Sequence, residues 1–317
     1  MTDETADIGR MFGATEAVET FLGFPALRDV GTLDAEIGIL GVPCASPYAS
    51  VGPYCAGAPA AIRAGIAGYA TAREHQDFDL GGPLLGDSGA RVLDCGDLGY
   101  DAEDSPGNRK RIRKAVASLL ERDVRPVVIG GDDSIPIPVL QAYEDHAPLT
   151  VVQIDAHIDW RDEVQGERFG LSSTMRRASE MPWVERIVQV GARAIGSARP
   201  DDYQDALDWG VHFVTARDLH TNGLEPVLDL VPPGAEVFFT LDCDGLDPFV
   251  MPAVIGPAPG GLSYWQAITL LHGLAAKARI AGFDIVEFMP ERDIQGLAAL
   301  TAARLVCNAL GLMARQG

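Results

Sequence analysis

The sequence predicts an α/β fold organised around a parallel sheet, and three observations carry that prediction. Short runs rich in Val, Ile, Leu and Phe recur along the chain. They are almost continuously apolar rather than alternating, as strands buried on both faces are. Amphipathic stretches of helical period lie between them, the alternation that builds a parallel sheet with helices outside. Taken in order, the strands are EIGILGV (36–42), RVLDC (91–95), PVVIG (126–130), TVVQID (150–155), IVQVG (187–191), VHFV (211–214), EVFFTL (236–241) and IAGFDIVE (280–287). Among the helices, Ser105 is placed to cap one that has Pro106 at its first position. Ile112, Val116, Leu119 and Leu120 form its apolar face. Ser263 and Gln266 have the spacing of a capping box ahead of AITLLHGLAAKA. The last helix runs through TAARLVCNALGLMA. Eight such strands fit either an open three-layer αβα sandwich or a closed eightfold barrel, and both place function at the carboxyl ends of the strands. No repeat or linker divides the chain, so residues 1–317 read as one domain. The first 35 residues and the stretch from Gly81 to Gly89 read as surface arms or loops.

The bulk numbers narrow the partners. With 317 residues, 47% of them hydrophobic, the chain can build a large core without disulfide staples. Its 45 acidic against 25 basic residues give a formal net charge of -20. Such a surface repels nucleic acid and anionic membranes and draws in a small cation. The five cysteines, Cys44, Cys55, Cys95, Cys243 and Cys307, are odd in number and contain no CxxC pair, as expected of reduced thiols in a cytosolic protein. The N-terminal MTDETADIGR is acidic and polar, unlike a signal peptide, and no apolar run is read as approaching the roughly 18 residues of a membrane span. A cytoplasmic location is the expectation.

The chemistry sits where strands end. DAHID follows TVVQ and places Asp155, His157 and Asp159 at every second position, so in extended chain their side chains share one side. Three such groups repel or desolvate one another unless a cation binds them, and a divalent metal is the economical solution. LDCDGLDP repeats the device with Asp242, Asp244 and Asp247. GGDDS adds Asp132, Asp133 and Ser134 after PVVIG, its glycines allowing close backbone approach, and Glu287 ends the last strand. Four strand ends, far apart in sequence, offer oxygen ligands that one pocket can gather. GGDDS lacks the lysine and spacing of a P-loop, and no GxGxxG follows the first strand.

These motifs resemble the ureohydrolases, the arginase and agmatinase group, and the agmatinase branch in particular. The resemblance begins at GVPCASPYASVGPYCAGAPAAIRAG and continues through DCGD (94–97), GGDDS, DAHID, LDCDGLDP and APGGL. It ends with DIVEFMPERDIQGLAALTAARL, covering nearly the whole chain. It implies the sandwich rather than the barrel, a dinuclear Mn2+ centre, and homotrimers or homohexamers. On this basis Asp155 and Asp242 would bridge two metals, Asp159 would complete one set, and His157 and Asp244 the other. Asp133 would stand at a sixth ligand position. Asp159 and Glu287 would be the catalytic residues, with Glu287 holding the substrate guanidinium. The reaction implied is attack of a metal-bridging hydroxide on a guanidino carbon, releasing urea and an amine.

Three departures from the family pattern stand out. The family's GGDHS is GGDDS here, so Asp133 replaces a metal-binding histidine. Five aspartates and one neutral histidine carry -5 against +4 from two divalent ions, a balance favouring a hard ion such as manganese or magnesium. The family's HGT, whose histidine is credited with moving a proton to the leaving amine, aligns with Leu171, Ser172 and Ser173. The family's GTGTPEPGG loop is AVIGPAPGG (253–261), which thins the polar lining of the pocket and points to a different or more apolar guanidino or amidino substrate. Alternatives to an agmatinase-like hydrolase are an enzyme acting on another amidine, guanidine or amide, and a non-catalytic metal-binding paralogue in a mixed oligomer.

Overall fold

The computed structural model describes residues 18–27 and 34–317. Eight strands form one all-parallel sheet: β1 (Ile37–Val42), β2 (Val92–Asp97), β3 (Arg125–Gly130), β4 (Leu149–Ile154), β5 (Val184–Val190), β6 (His212–Val214), β7 (Glu236–Asp242) and β8 (Arg279–Val286). Their order is β2-β1-β3-β8-β7-β4-β5-β6, with β2 and β6 as open edges, so the sheet is not closed into a barrel.

Each central strand is buried along its length and feeds two cores. Val127 and Ile129 of β3, and Val152 and Ile154 of β4, point to one face; Val128 and Val151 point to the other. The first face is covered by α1 (Ala58–Ala67), α6 (Ala216–Asn222), α7 (Glu225–Asp229), α8 (Tyr264–Lys277) and α9 (Leu297–Arg315). The second is covered by α2 (Ser105–Leu120), α3 (Pro136–Gln141), α4 (Thr174–Ser179) and α5 (Pro200–Trp209). This is the three-layer αβα sandwich. Each fully buried Val, Ile or Phe contributes about 1.5–3 kcal/mol, so the doubly covered strands are the rigid part on which a site can be mounted.

Local signals explain the helix boundaries, with corrections. Ser263 and Gln266 do form the capping box: the Ser263 hydroxyl accepts from the Gln266 amide at 3.2 Å, and the Gln266 side chain accepts from the Ser263 amide at 2.9 Å. The cap of α2 is Asp104, not Ser105. Its carboxylate accepts from the Gly107 amide at 2.9 Å and takes the cap position one residue earlier. A carboxylate near a helix N-terminus also meets the positive end of the dipole. Within the stretch expected to be a surface arm, Phe21, Leu22 and Phe24 are buried against the first core. The Phe21 amide donates to Asp94 at 2.7 Å. Residues 1–17 and 28–33 of that arm lie outside the described residues. A second correction concerns α9: this 19-residue helix contains an 18-residue window of mean hydropathy 1.6, apolar enough to cross a membrane, yet 78% of that window is buried. It is a core helix packed on α1 and α8.

Candidate metal centre

The four central strands, β3, β8, β7 and β4, deliver their C-terminal residues to one place. Asp132 and Asp133 follow β3, Glu287 follows β8, Asp242 ends β7 and Asp244 follows it, and Asp155, His157 and Asp159 follow β4. Two turns with the same logic aim the ligands. The Asp155 carboxylate accepts from the His157 amide at 2.6 Å, and the Asp242 carboxylate from the Asp244 amide at 2.7 Å. An aspartate bonded to the amide two residues on closes a tight turn, which holds side chains i and i+2 together. Close approach of the strand ends needs glycine. A Cβ on Gly245 would lie 2.7 Å from the Asp155 amide nitrogen, and one on Gly131 would collide with the Pro43 carbonyl.

Two clusters result. Asp155, His157 and Asp244 bring ligand atoms within 4.8 Å of one another, and so do Asp133, Asp155 and Asp242. Asp155 belongs to both, the place a bridging carboxylate must occupy. Asp159 adjoins them: its carboxylate shares the Gln153 amide with Asp155, at 3.2 and 2.8 Å. Two members are held in backbone conformations unusual for their type, Asp159 at φ 45° and Glu287 at φ 66°. Such left-handed positions in non-glycine residues cost about 1–3 kcal/mol and concentrate at functional sites.

Electrostatics single out this place. Burial, then the charges of Asp159 and Asp155, push the Asp133 carboxyl well above the ordinary range. Burial and the neighbouring carboxylates do the same to Asp159 and Asp242, and raise Asp244 as well. Hydrogen bonds to Asp155 and then Asp244 push His157 up to about 12. For Asp155 burial acts in the opposite sense, but its bonds with His157 prevail and the carboxyl is lowered. Burial raises Glu287 to about 8 even though the Tyr54 hydroxyl bonds it. Both Asp133 oxygens are buried with no hydrogen-bond donor. A buried carboxylate with no donor is costly. A hard divalent cation would satisfy both oxygens, so this donor set of carboxylates and one imidazole fits a metal pair.

All seven residues singled out from the sequence, Asp133, Asp155, His157, Asp159, Asp242, Asp244 and Glu287, meet here. Two neighbours in the same motifs do not. Asp132 turns to Ser134 Oγ at 2.8 Å and Cys44 Sγ at 3.6 Å. Asp247 accepts from the Phe249 and Gly260 amides and pins a loop. Glu287 is bonded on both sides: Tyr54 donates to its two oxygens at 2.7 and 2.6 Å, and the Asp133 amide donates to one at 2.8 Å.

Sequence reasoning missed the residues that support these. Gln189 Nε2 donates to Gln153 Oε1 at 2.5 Å, and Gln153 in turn bonds Asp155 and Asp159. The two glutamines are register partners on β4 and β5. Their signal was there, since each is a lone amide within an apolar run, VVQI in β4 and IVQV in β5. Arg193 ties the Asp244 carbonyl to the Ala258 carbonyl, both at 2.7 Å, and so moors the 253–261 loop to the end of β7. Tyr54 carried no signal, because nothing near it in sequence announces a contact with Glu287.

A cavity of about 220 Å³ opens beside the clusters, lined by His157, Asp159, Arg161, Leu171, Asp202 and Ile255 among others. Leu171 thus faces the site, and the apolar 253–261 loop contributes to its wall. None of His75, His146, His212, His220 or His272 lines it.

Comparison with known proteins accords with this geometry. The sequence model of the arginase family matches residues 35–311. The chain is 32% identical to the mitochondrial agmatinase of Gallus gallus over 69% of its own length and 66% of the relative's. It is 32% identical to mitochondrial arginase 1 of Arabidopsis thaliana over 88% of its length and 82% of the relative's. The crystal structure of a hypothetical agmatinase from Burkholderia thailandensis superposes with a TM-score of 0.81 at 26% identity, covering 95% of this chain and 92% of that one. A parallel sheet of this strand order, carboxylates gathered at its centre and a family match spanning 277 residues (35–311) lead to one conclusion: the chain belongs to the arginase family.

Proposed function

We propose that this protein is a metal-dependent hydrolase of a guanidino C–N bond, agmatinase-like, yielding urea and an amine. The observation that carries the reading is Asp155 shared between two ligand clusters, with the donorless Asp133 carboxylate beside it. Asp133, Asp155, His157, Asp159, Asp242 and Asp244 would hold two ions, manganese by preference for a carboxylate-rich set. Bound there, the ions would supply Lewis acidity and a water acidified toward neutral pH.

The chain's own groups do the rest. Asp159, which lines the cavity, is the group placed to move the proton between the attacking water and the departing nitrogen. That task falls to it because Leu171 has no proton to give. Glu287 offers a carboxylate to the guanidinium. Tyr54, which donates to both Glu287 oxygens, must give up one of them. Ile255 and Leu171 wall off water. A cytoplasmic homotrimer or homohexamer completes the proposal, and the five free cysteines agree with a reducing compartment.

Metal content after manganese incubation and removal of loose ions tests the reading, followed by urea release from a panel of guanidino compounds. Two ions per chain and urea from at least one compound are expected. One ion or none, with no urea, would mean that Asp133 has broken the pair and would favour the non-catalytic alternative.

A further inference from the structure

The cavity beside the clusters contains a charge that its surroundings do not explain. Acidic residues outnumber basic ones 45 to 25 in this chain, yet some arginines have no carboxylate partner. Arg161 is such a residue. It lines the cavity two positions after Asp159, and among the described residues its guanidinium has no ion pair or hydrogen-bond partner. The adjacent acid cannot neutralise it, because Asp162 is taken by Arg177 at 2.8 Å and Arg168 at 3.0 Å. Asp159 is committed to the clusters and to Gln153. Arg161 is also held in place: its amide donates to the Ser172 carbonyl at 3.0 Å, which fastens the 161 segment to the 171–173 turn on the cavity wall. Asp202, on the first turn of α5, is the other charged group on that wall outside the clusters.

We infer that Arg161 is the specificity-determining residue of this site and that it takes a carboxylate on the far end of the substrate. The substrate class is therefore a guanidino acid rather than a guanidino amine. The inference rests on the hydrolase reading above and refines it. The physical case is one of placement. A planar guanidinium binds a carboxylate through paired charge-assisted hydrogen bonds. An ammonium tail brought to the same wall meets a like charge in a confined space. The chain's overall acidity favours the approach of any guanidinium, but selection between tails is made by the group the tail touches.

The test uses the manganese-loaded full chain and three guanidines of equal length: 4-guanidinobutyrate, agmatine and butylguanidine. Binding is followed by calorimetry and turnover by urea release, for the natural chain and Arg161→Gln. The acid should bind best to the natural chain. Arg161→Gln should weaken it on the order of 10- to 100-fold, the loss expected of a charge-assisted pair. The same change should leave butylguanidine unaffected and not weaken agmatine. Agmatine binding as tightly as the acid, no binding of the acid, or equal weakening of all three by Arg161→Gln would overturn the inference. Urea from agmatine but none from the acid would sink the inference and keep the hydrolase reading. Arg161-dependent binding of the acid with no urea from any compound would do the reverse.

Discussion

Loading the centre with metal should release at least two protons per chain near pH 7. The number follows from the geometry. Ligand atoms of Asp133, Asp155 and Asp242 lie within 4.8 Å of one another. At an effective dielectric of about 20, two unit charges at that distance repel by about 3.5 kcal/mol. Three such pairs would cost about 10 kcal/mol, comparable to the whole stability of a domain. The metal-free triad therefore keeps at least one proton, in accord with the raised Asp133 and Asp242 carboxyls. The other cluster balances itself by protonating His157, whose Nδ1 lies 3.2 Å from Asp244 and 3.4 Å from Asp155. An imidazole must lose that proton to become a ligand. Titrating Mn2+ into chelator-stripped protein, in buffers of different ionisation enthalpy, reads the proton count as a slope. A slope of two or more is expected, with metal affinity rising about 100-fold per pH unit. Asp133→Asn should lower the count by about one. A slope below one, or no dependence of affinity on pH, would refute the electrostatic account of the cluster.

Three further outcomes follow from other contacts. Gln189→Leu removes the donor that orients Gln153 toward Asp155 and Asp159, so metal affinity should fall about 10- to 100-fold with the fold intact, as read by competition with a chelator and by circular dichroism. Tyr54→Phe removes the hydroxyl bonded to both Glu287 oxygens, leaving one held by the Asp133 amide; KM for a guanidino substrate should drop about tenfold, a hydrogen bond to a charged group no longer having to be broken, and a raised KM with unchanged kcat would contradict this. Asp284 gives a stability effect. It sits in mid-β8 opposite Thr240 and is fully buried. Burial lifts it to about 7, Thr240 and the Leu241 amide countering only in part. Because the folded value exceeds the unfolded one, its contribution is present below about pH 4 and is lost as pH rises through 7. The full shift corresponds to about 4 kcal/mol. Asp284→Asn should therefore gain about 2–4 kcal/mol over the natural chain between pH 5 and pH 8 in urea unfolding, and a pH-independent difference would count against it.

How much of this was legible in the sequence depended on the range of the signal. The eight strands announced themselves because both their faces are buried, so each run is apolar throughout and its ends lie within a few residues of those expected. Ligands in short repeated patterns were equally plain, since Asp155 and His157, or Asp242 and Asp244, are brought together by a turn of their own making. The order of strands was not legible from periodicity, and the choice of sandwich over barrel came from resemblance. Contacts made across the fold left no trace. Tyr54 reaches Glu287 over 233 positions, and Phe21 reaches Asp94 over 73, in a segment whose polar surroundings suggested an exposed arm. The Ser105 cap failed for a subtler reason: Asp104 and Ser105 are both good caps, and the structure uses the one whose charge also suits the helix dipole.

The strand order has a consequence for how the molecule is made. Among the described residues, the last strand in sequence, β8, lies between β3 and β7 and is the only bridge between β2-β1-β3 and β7-β4-β5-β6. Until residues 279–286 have left the ribosome, the growing chain holds two half-sheets, each with an apolar inner edge bare. Asp133 stands on one and Asp155, His157, Asp159, Asp242 and Asp244 on the other. A nascent chain stalled before β8 would expose two sticky edges and the ligand clusters would be split between them, so the site can assemble only once β8 is in place.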